Sequence, residues 1–115
     1  QTHNMNLSFL SLMISLETLF HPRDQGELRY RISRNTAVLL GNEKEDSETV
    51  FREIKDLYDK RSNIVHAGKS NIINKEDLLK LCGYVRESIK EINKIGKNKD
   101  NLLDMLNSCG FGERP

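Results

Sequence analysis

Arg61 and His66, five residues apart in the stretch Leu57-Tyr58-Asp59-Lys60-Arg61-Ser62-Asn63-Ile64-Val65-His66-Ala67-Gly68, are the residues whose types and spacing can do chemistry. Imidazole titrates near neutral pH and serves as a general base or acid. Guanidinium stays charged and clamps a phosphate while negative charge builds on it. Together they suffice for metal-independent cleavage of RNA, with the 2′-hydroxyl as internal nucleophile, and the sequence shows no acidic metal cluster or other cofactor site. Their placement raises a geometric problem. Val50, Ile54, Leu57 and Ile64 mark one apolar helical face, and the position that the stripe demands between the last two holds Arg61. A guanidinium on the core side of a helix is costly unless it is paired or lines a cleft. At about 100° per residue, Arg61 and His66 stand about 140° apart around a regular helix. They converge if the helix frays near Ala67-Gly68, if Arg61 swings on its long stem, or if a second copy of the chain completes the site.

The segment LYDKRSNIVHAG, with SLETLFHP at residues 15 to 22 and YRISRNTAVLLG at residues 30 to 41 before it, resembles the HEPN superfamily, in particular the Apea-like HEPN domains with their Arg-x4-6-His motif. The match covers most of the chain in the family's order. It implies a helical bundle in which Arg61 and His66 take the catalytic motif positions. It further implies that two subunits bring their motifs into one composite cleft, and that RNA is cut to a 2′,3′-cyclic phosphate and a 5′-hydroxyl. Two positions depart from the pattern: Ser62 stands where active members often carry Asn, Asp or His, and Ala67 separates His66 from Gly68. The plainer reading is that His66 caps or packs a helix end.

The elements that must position these residues read as helices. Residues 4 to 20 are apolar over most of their circumference, so this helix is expected to be central, with a stripe Leu7, Leu10, Ile14 and then Glu17. Glu17 either pairs with Arg61 or sits at the rim, facing water. Residues 26 to 41 form the second helix, with Leu28, Ile32, Asn35 and Leu39 on one face, Val38 and Leu40 beside it, and Gly41 as C-cap. Asn35 is either a satisfied core amide or part of a cleft. Arg29, Arg31 and Arg34 form a solvated face or contact phosphates. Residues 42 to 47 read as a polar loop, with Asp46 or Ser47 capping the third helix. Asn74 and Asp77 make a capping-box start for a fourth helix, residues 75 to 95, with a core stripe of Leu78, Cys82, Val85, Ile89 and Ile92 and a stop at Gly96. Cys82 is thus expected to be buried. Asp100 is expected to cap a short last helix carrying Leu102, Leu103 and Leu106. The fold class is all-α, an up-and-down four-helix bundle with a short additional C-terminal helix.

Composition bounds the rest. The 115 residues make one small domain, and an opening residue of Gln rather than Met suggests a piece of a longer protein with a fused upstream domain. At 37% hydrophobic and 30% charged residues, the chain is an ordinary globular one. A net charge of +1 gives no global footprint for nucleic acid, so RNA must be met by a local patch, for which Lys69 and Arg31 are candidates beside Tyr58 and Ser62 as supports of the site. Tyr58 reads equally as a half-buried aromatic. Cys82 and Cys109 suggest neither a zinc site nor a disulfide framework, which points to a reducing, cytoplasmic compartment. The first helix is too interrupted by polar residues to span a membrane.

Three functional expectations follow. The first is a ribonuclease module of a defence or toxin-type protein, a homodimer joined through the motif face and acting on single-stranded or loop RNA. The second is a non-catalytic module of the same shape that binds RNA, nucleotide or a partner protein. The third is a helical dimerisation domain in which an Arg61–Glu17 pair is structural.

Overall fold

Five helices account for most of the described residues in this computed structural model, which describes residues 2–21, 27–68 and 72–113. They are α1 (Thr2–Phe20), α2 (Leu28–Leu40), α3 (Lys44–Ala67), α4 (Lys75–Ile95) and α5 (Lys99–Ser108). Side-chain bonds reveal the alternating direction of the first four. The start of α2 meets the end of α3 through Arg29 and Asp59, and the end of α3 meets the start of α4 through Lys60 and Asp77. The ends of α1 and α3 lie side by side, joined by Glu17 and Arg61. One end of an up-and-down bundle therefore collects the motif, and no strand occurs among the described residues.

Local signals set several boundaries as expected. The side chain of Asn74 accepts from the Asp77 N–H at 2.8 Å, and the Asp77 carboxylate accepts from the Asn74 N–H, which closes the capping box of α4. Gly96 ends α4 in the left-handed conformation. Two caps lie elsewhere. The N-cap of α5 is Asn98, which accepts from the Asn101 N–H, while Asp100 sits in the first turn. Helix α3 begins at Lys44, so the connection shrinks to Gly41, Asn42 and Glu43. Ser47 is buried inside α3, and its hydroxyl donates to the Ala37 carbonyl near the end of α2. Gly41 is extended rather than left-handed. Its role is room: a Cβ there would stand 2.0 Å from Ser47 Oγ and 2.8 Å from Ser47 Cα.

The core corrects the expected ranking of helices. Helix α1 buries Phe9, Met13, Leu16 and Phe20 and leaves Leu7 and Ile14 52% and 60% exposed. The helix is apolar on two sides, and the side with two phenylalanines and a methionine removes more area from water. Helix α4 likewise turns Leu81, Val85 and Ser88 inward, with Leu78 and Ile92 half-buried, while Cys82 and Ile89 are exposed. Leucine at 81 outweighs cysteine at 82. The helix enclosed on nearly all sides is α2, which packs most extensively on α3. Its Ile32, Asn35, Val38 and Leu39 are buried as expected, but so are Ser33, Thr36 and Ala37. Ser33 and Thr36 satisfy their hydroxyls on the Arg29 and Ile32 carbonyls one turn back, which lets polar side chains sit in a core. Asn35 is the satisfied core amide, donating to the Phe20 carbonyl at 3.5 Å. In α3, Val50, Ile54 and Leu57 are buried and Ile64 half-buried, as the stripe requires.

Candidate functional site

Helix α3 stays regular through Ala67 and ends at Gly68, whose left-handed backbone lets its N–H reach the Asn63 carbonyl. Fraying before His66 is therefore not available to bring the imidazole round to Arg61. The two residues remain on different faces of one helix, about 140° apart.

Arg61 faces α1. Its Nε lies 3.4 Å from Glu17 Oε1, with the two side chains 24% and 16% exposed. Oε1 is enclosed and accepts no hydrogen bond from a described residue, so the contact is coulombic rather than a directed bond. The guanidinium also lies over the Tyr58 ring, 5.3 Å from its centroid, and Tyr58 is buried. Aromatic face and carboxylate together answer the cost of a cation on the core stripe. Of the two alternatives for Glu17, pairing is the one found. Ser62 is half-buried beside Arg61 in sequence. His66 is exposed in the last turn of α3, where a cationic side chain favours the helix C-terminus, and it makes no hydrogen bond or ion pair with a described residue.

The neighbouring charges are largely committed to one another. Arg29 grips Asp59 with two bonds of 2.7 and 2.9 Å, which raise the guanidinium above its ordinary value. Lys60 meets Asp77 at 2.7 Å. Arg34 caps α5, its Nη1 donating to the Leu106 carbonyl at 3.0 Å and its Nη2 to that of Cys109. Arg31 is half-buried, and its Nε is enclosed without a described hydrogen-bond partner. The three arginines of α2 thus do not form one solvated face: one bridges helices, one caps a helix and one is half-enclosed. Lys69 lies outside the described residues.

A second polar cluster spans α3 and α4, and it left no trace in the periodicity because its members come from two helices. The Tyr84 hydroxyl donates to Glu53 Oε1, and Lys80 Nζ lies 3.0 Å from Glu53 Oε2. Burial pushes the Glu53 carboxyl up, but Tyr84 and Lys80 together hold it below its ordinary value. Burial and the Glu53 carboxylate push the Tyr84 hydroxyl up. This cluster borders two clefts, of about 560 Å³ beside Leu40, Val50 and Tyr84, and of about 450 Å³ beside Asp56, Lys60 and Asp77. A third, of about 540 Å³, runs between α1 and α4 past Leu7, Leu12, Leu79 and Cys82. None of the three is lined by Arg61 or His66. Among the described residues no group of His, Cys, Asp and Glu is placed to hold a metal ion, and no helix is long and apolar enough to cross a membrane.

What a single chain offers, then, is a guanidinium held against a carboxylate and an aromatic ring and an exposed imidazole on another face. No family model matches the chain, and neither a curated protein nor a solved structure matches it.

Proposed function

We propose that this chain is a HEPN-type endoribonuclease module that works as a homodimer, with each site built from Arg61 of one copy and His66 of the other. The observation that carries this reading is the regular helix between the two residues. It holds Arg61 against Glu17 and Tyr58 and leaves His66 exposed elsewhere, an arrangement compatible with one phosphate meeting both groups across two chains. In that site one imidazole takes the proton of the 2′-hydroxyl, whose oxygen attacks phosphorus. Arg61 stabilises the charge on the phosphate oxygens, and the 5′-oxygen leaves, taking a proton from solvent water. The products are a 2′,3′-cyclic phosphate and a 5′-hydroxyl, and the reaction needs no metal. Single-stranded or looped RNA is the substrate class, since only there is the 2′-hydroxyl free to align with the leaving oxygen. Both cysteines are free and Cys82 is exposed, which fits a reducing compartment such as the cytoplasm.

The same ion pair favours a second reading, a helical dimerisation domain in which Arg61 is there to balance Glu17. Cleavage of RNA in the presence of a chelator separates the two. The nuclease reading expects activity in the wild type and loss in both Arg61→Ala and His66→Ala, with folding and association unchanged. A wild type that neither cleaves nor binds RNA leaves the structural reading.

A further inference from the structure

We infer that the outer side of the α1–α4 pair docks on an anionic membrane surface, with both helices lying flat against the lipid. The bundle has two layers, since α2 packs most extensively on α3, and α1 on α4. Each layer turns one side to the core and the other outward. The outward side of α1 and α4 carries Leu7, Ile14, Leu79 and Ile89, which are 52%, 60%, 63% and 43% exposed. Leu7 and Leu79 border the same cleft of about 540 Å³, so the two helices present one continuous surface. It measures roughly 30 Å by 20 Å. Exposed aliphatic side chains gathered on one such face mark an interaction site.

Charge selects the partner. The outward stripe of α4 runs Lys75, Leu79, Cys82, Arg86 and Lys90, all exposed, in steps of four, three, four and four. It holds three cations and no carboxylate. Glu76 and Glu87 belong to the next stripe, with Lys80 and Gly83. That stripe turns away from α1, and its last three members line the cleft beside Leu40 and Val50. Arg86 and Lys90 reach Glu87 only at 3.8 and 3.4 Å and stay largely exposed, free to swing on their long stems. On α1 the outward positions Leu7, Ser11, Ile14 and Thr18 carry no charge at all. Aliphatic side chains among cations, with acids kept off the face, is how a helix rests on anionic headgroups, its apolar side entering by about 5–10 Å.

Two further features favour lipid over a macromolecular partner. The exposed hydroxyls of Ser15 and Thr18 donate to the Ser11 and Ile14 carbonyls one turn back, at 3.1 and 2.8 Å. Neither needs water when acyl chains cover the face. The four aliphatic side chains also project at separate places, so a rigid protein needs a socket for each, while a fluid acyl layer needs none. Nucleic acid finds cations here but nothing to stack on, since Phe9 and Phe20, the aromatic residues of α1, are buried. The inference does not depend on the nuclease reading.

Flotation of the full chain with lipid vesicles tests this. Binding is expected to vesicles of phosphatidylcholine mixed with phosphatidylserine, and to be at least about tenfold weaker on phosphatidylcholine alone or at high salt. Lys75→Gln and Arg86→Gln are expected to weaken it about fivefold each, and Ile14→Ser and Leu79→Ser about tenfold. All four side chains are exposed, so helix content is expected to stay unchanged. Arg52→Gln, at an exposed cation of the α2–α3 layer, is expected to leave binding as it was. A polarity-sensitive fluorophore on Cys82, in a chain carrying Cys109→Ser, is expected to shift to the blue on the mixed vesicles. The same fluorophore on Thr49→Cys, exposed on α3, in a chain carrying Cys82→Ser and Cys109→Ser, is expected not to shift. Failure to bind the mixed vesicles overturns the inference, also where the chain captures an acidic peptide instead. Equal loss in Arg52→Gln, or equal shifts of the two fluorophores, overturns the assignment to this face.

Discussion

Arg61 and Glu17 offer the sharpest test of the physical reasoning, through a double-mutant cycle of Arg61→Met, Glu17→Leu and the pair together. At 3.4 Å, two unit charges attract by about 5 kcal/mol if the effective dielectric is about 20. Most of that is offset by desolvation, because both side chains are largely enclosed. With no hydrogen bond on Oε1 to add to it, a net coupling of about 1–2 kcal/mol is left. Arg61→Met alone is expected to cost more, about 2–3 kcal/mol, since it strands a carboxylate whose Oε1 has no other described partner. The double replacement is expected to cost less than the sum of the singles. Urea unfolding of the four proteins measures all three quantities. A coupling indistinguishable from zero would refute the claim that the pair compensates a cation on the core stripe. It would leave the Tyr58 face as the main partner of Arg61. The same numbers tell whether loss of cleavage in an Arg61 variant reports chemistry or unfolding.

Other expectations follow from particular contacts. Gly41→Ala forces a Cβ into Ser47, against backbone as well as the hydroxyl, and is expected to destabilise the fold by about 2–3 kcal/mol in denaturant titration. A cost below about half a kcal/mol would mean that the α2–α3 connection can shift freely. Tyr84→Phe removes a donor that holds the Glu53 carboxyl low. A carboxyl with a lowered folded value stabilises the fold above its unfolded range and ceases to do so as pH falls through the folded value. The variant is therefore expected to lose about 1 kcal/mol at neutral pH and to converge on the wild type in acid, and a loss independent of pH contradicts the assignment. Cys82 is exposed and Cys109 half-buried, so a thiol reagent is expected to label Cys82 first in the native protein, as read by mass spectrometry of peptides. Equal rates would place α4 in a different rotation.

The placement of the candidate residues was legible before any coordinates, because it rests on short-range rules. Arg61 at the vacant stripe position, His66 five residues on, Gly68 behind them and the Asn74–Asp77 box are each determined by residues within two turns of one another. Partnership between Glu17 and Arg61 was legible only as one of two alternatives, since 44 residues of chain separate them. The α3–α4 cluster of Glu53, Tyr84 and Lys80 was not legible at all. Each member reads alone as an ordinary surface residue.

Periodicity by itself determined that this chain is a set of amphipathic helices, where most of them start and stop, and that a cation and an imidazole share one of them without sharing a face. Tertiary structure alone decided which apolar stripe turns inward. Helices α1 and α4 each carry two stripes that satisfy helical spacing, and the spacing is equal for both. The choice falls to the summed volume of side chains from every neighbouring helix, which put Phe9, Met13, Leu16 and Phe20 against the core and left Leu7 and Ile14 facing out. It also made α2 the enclosed helix and drew Ser47 under Gly41. A helix records in its own sequence which residues lie together; which of its faces is covered depends on what packs against it.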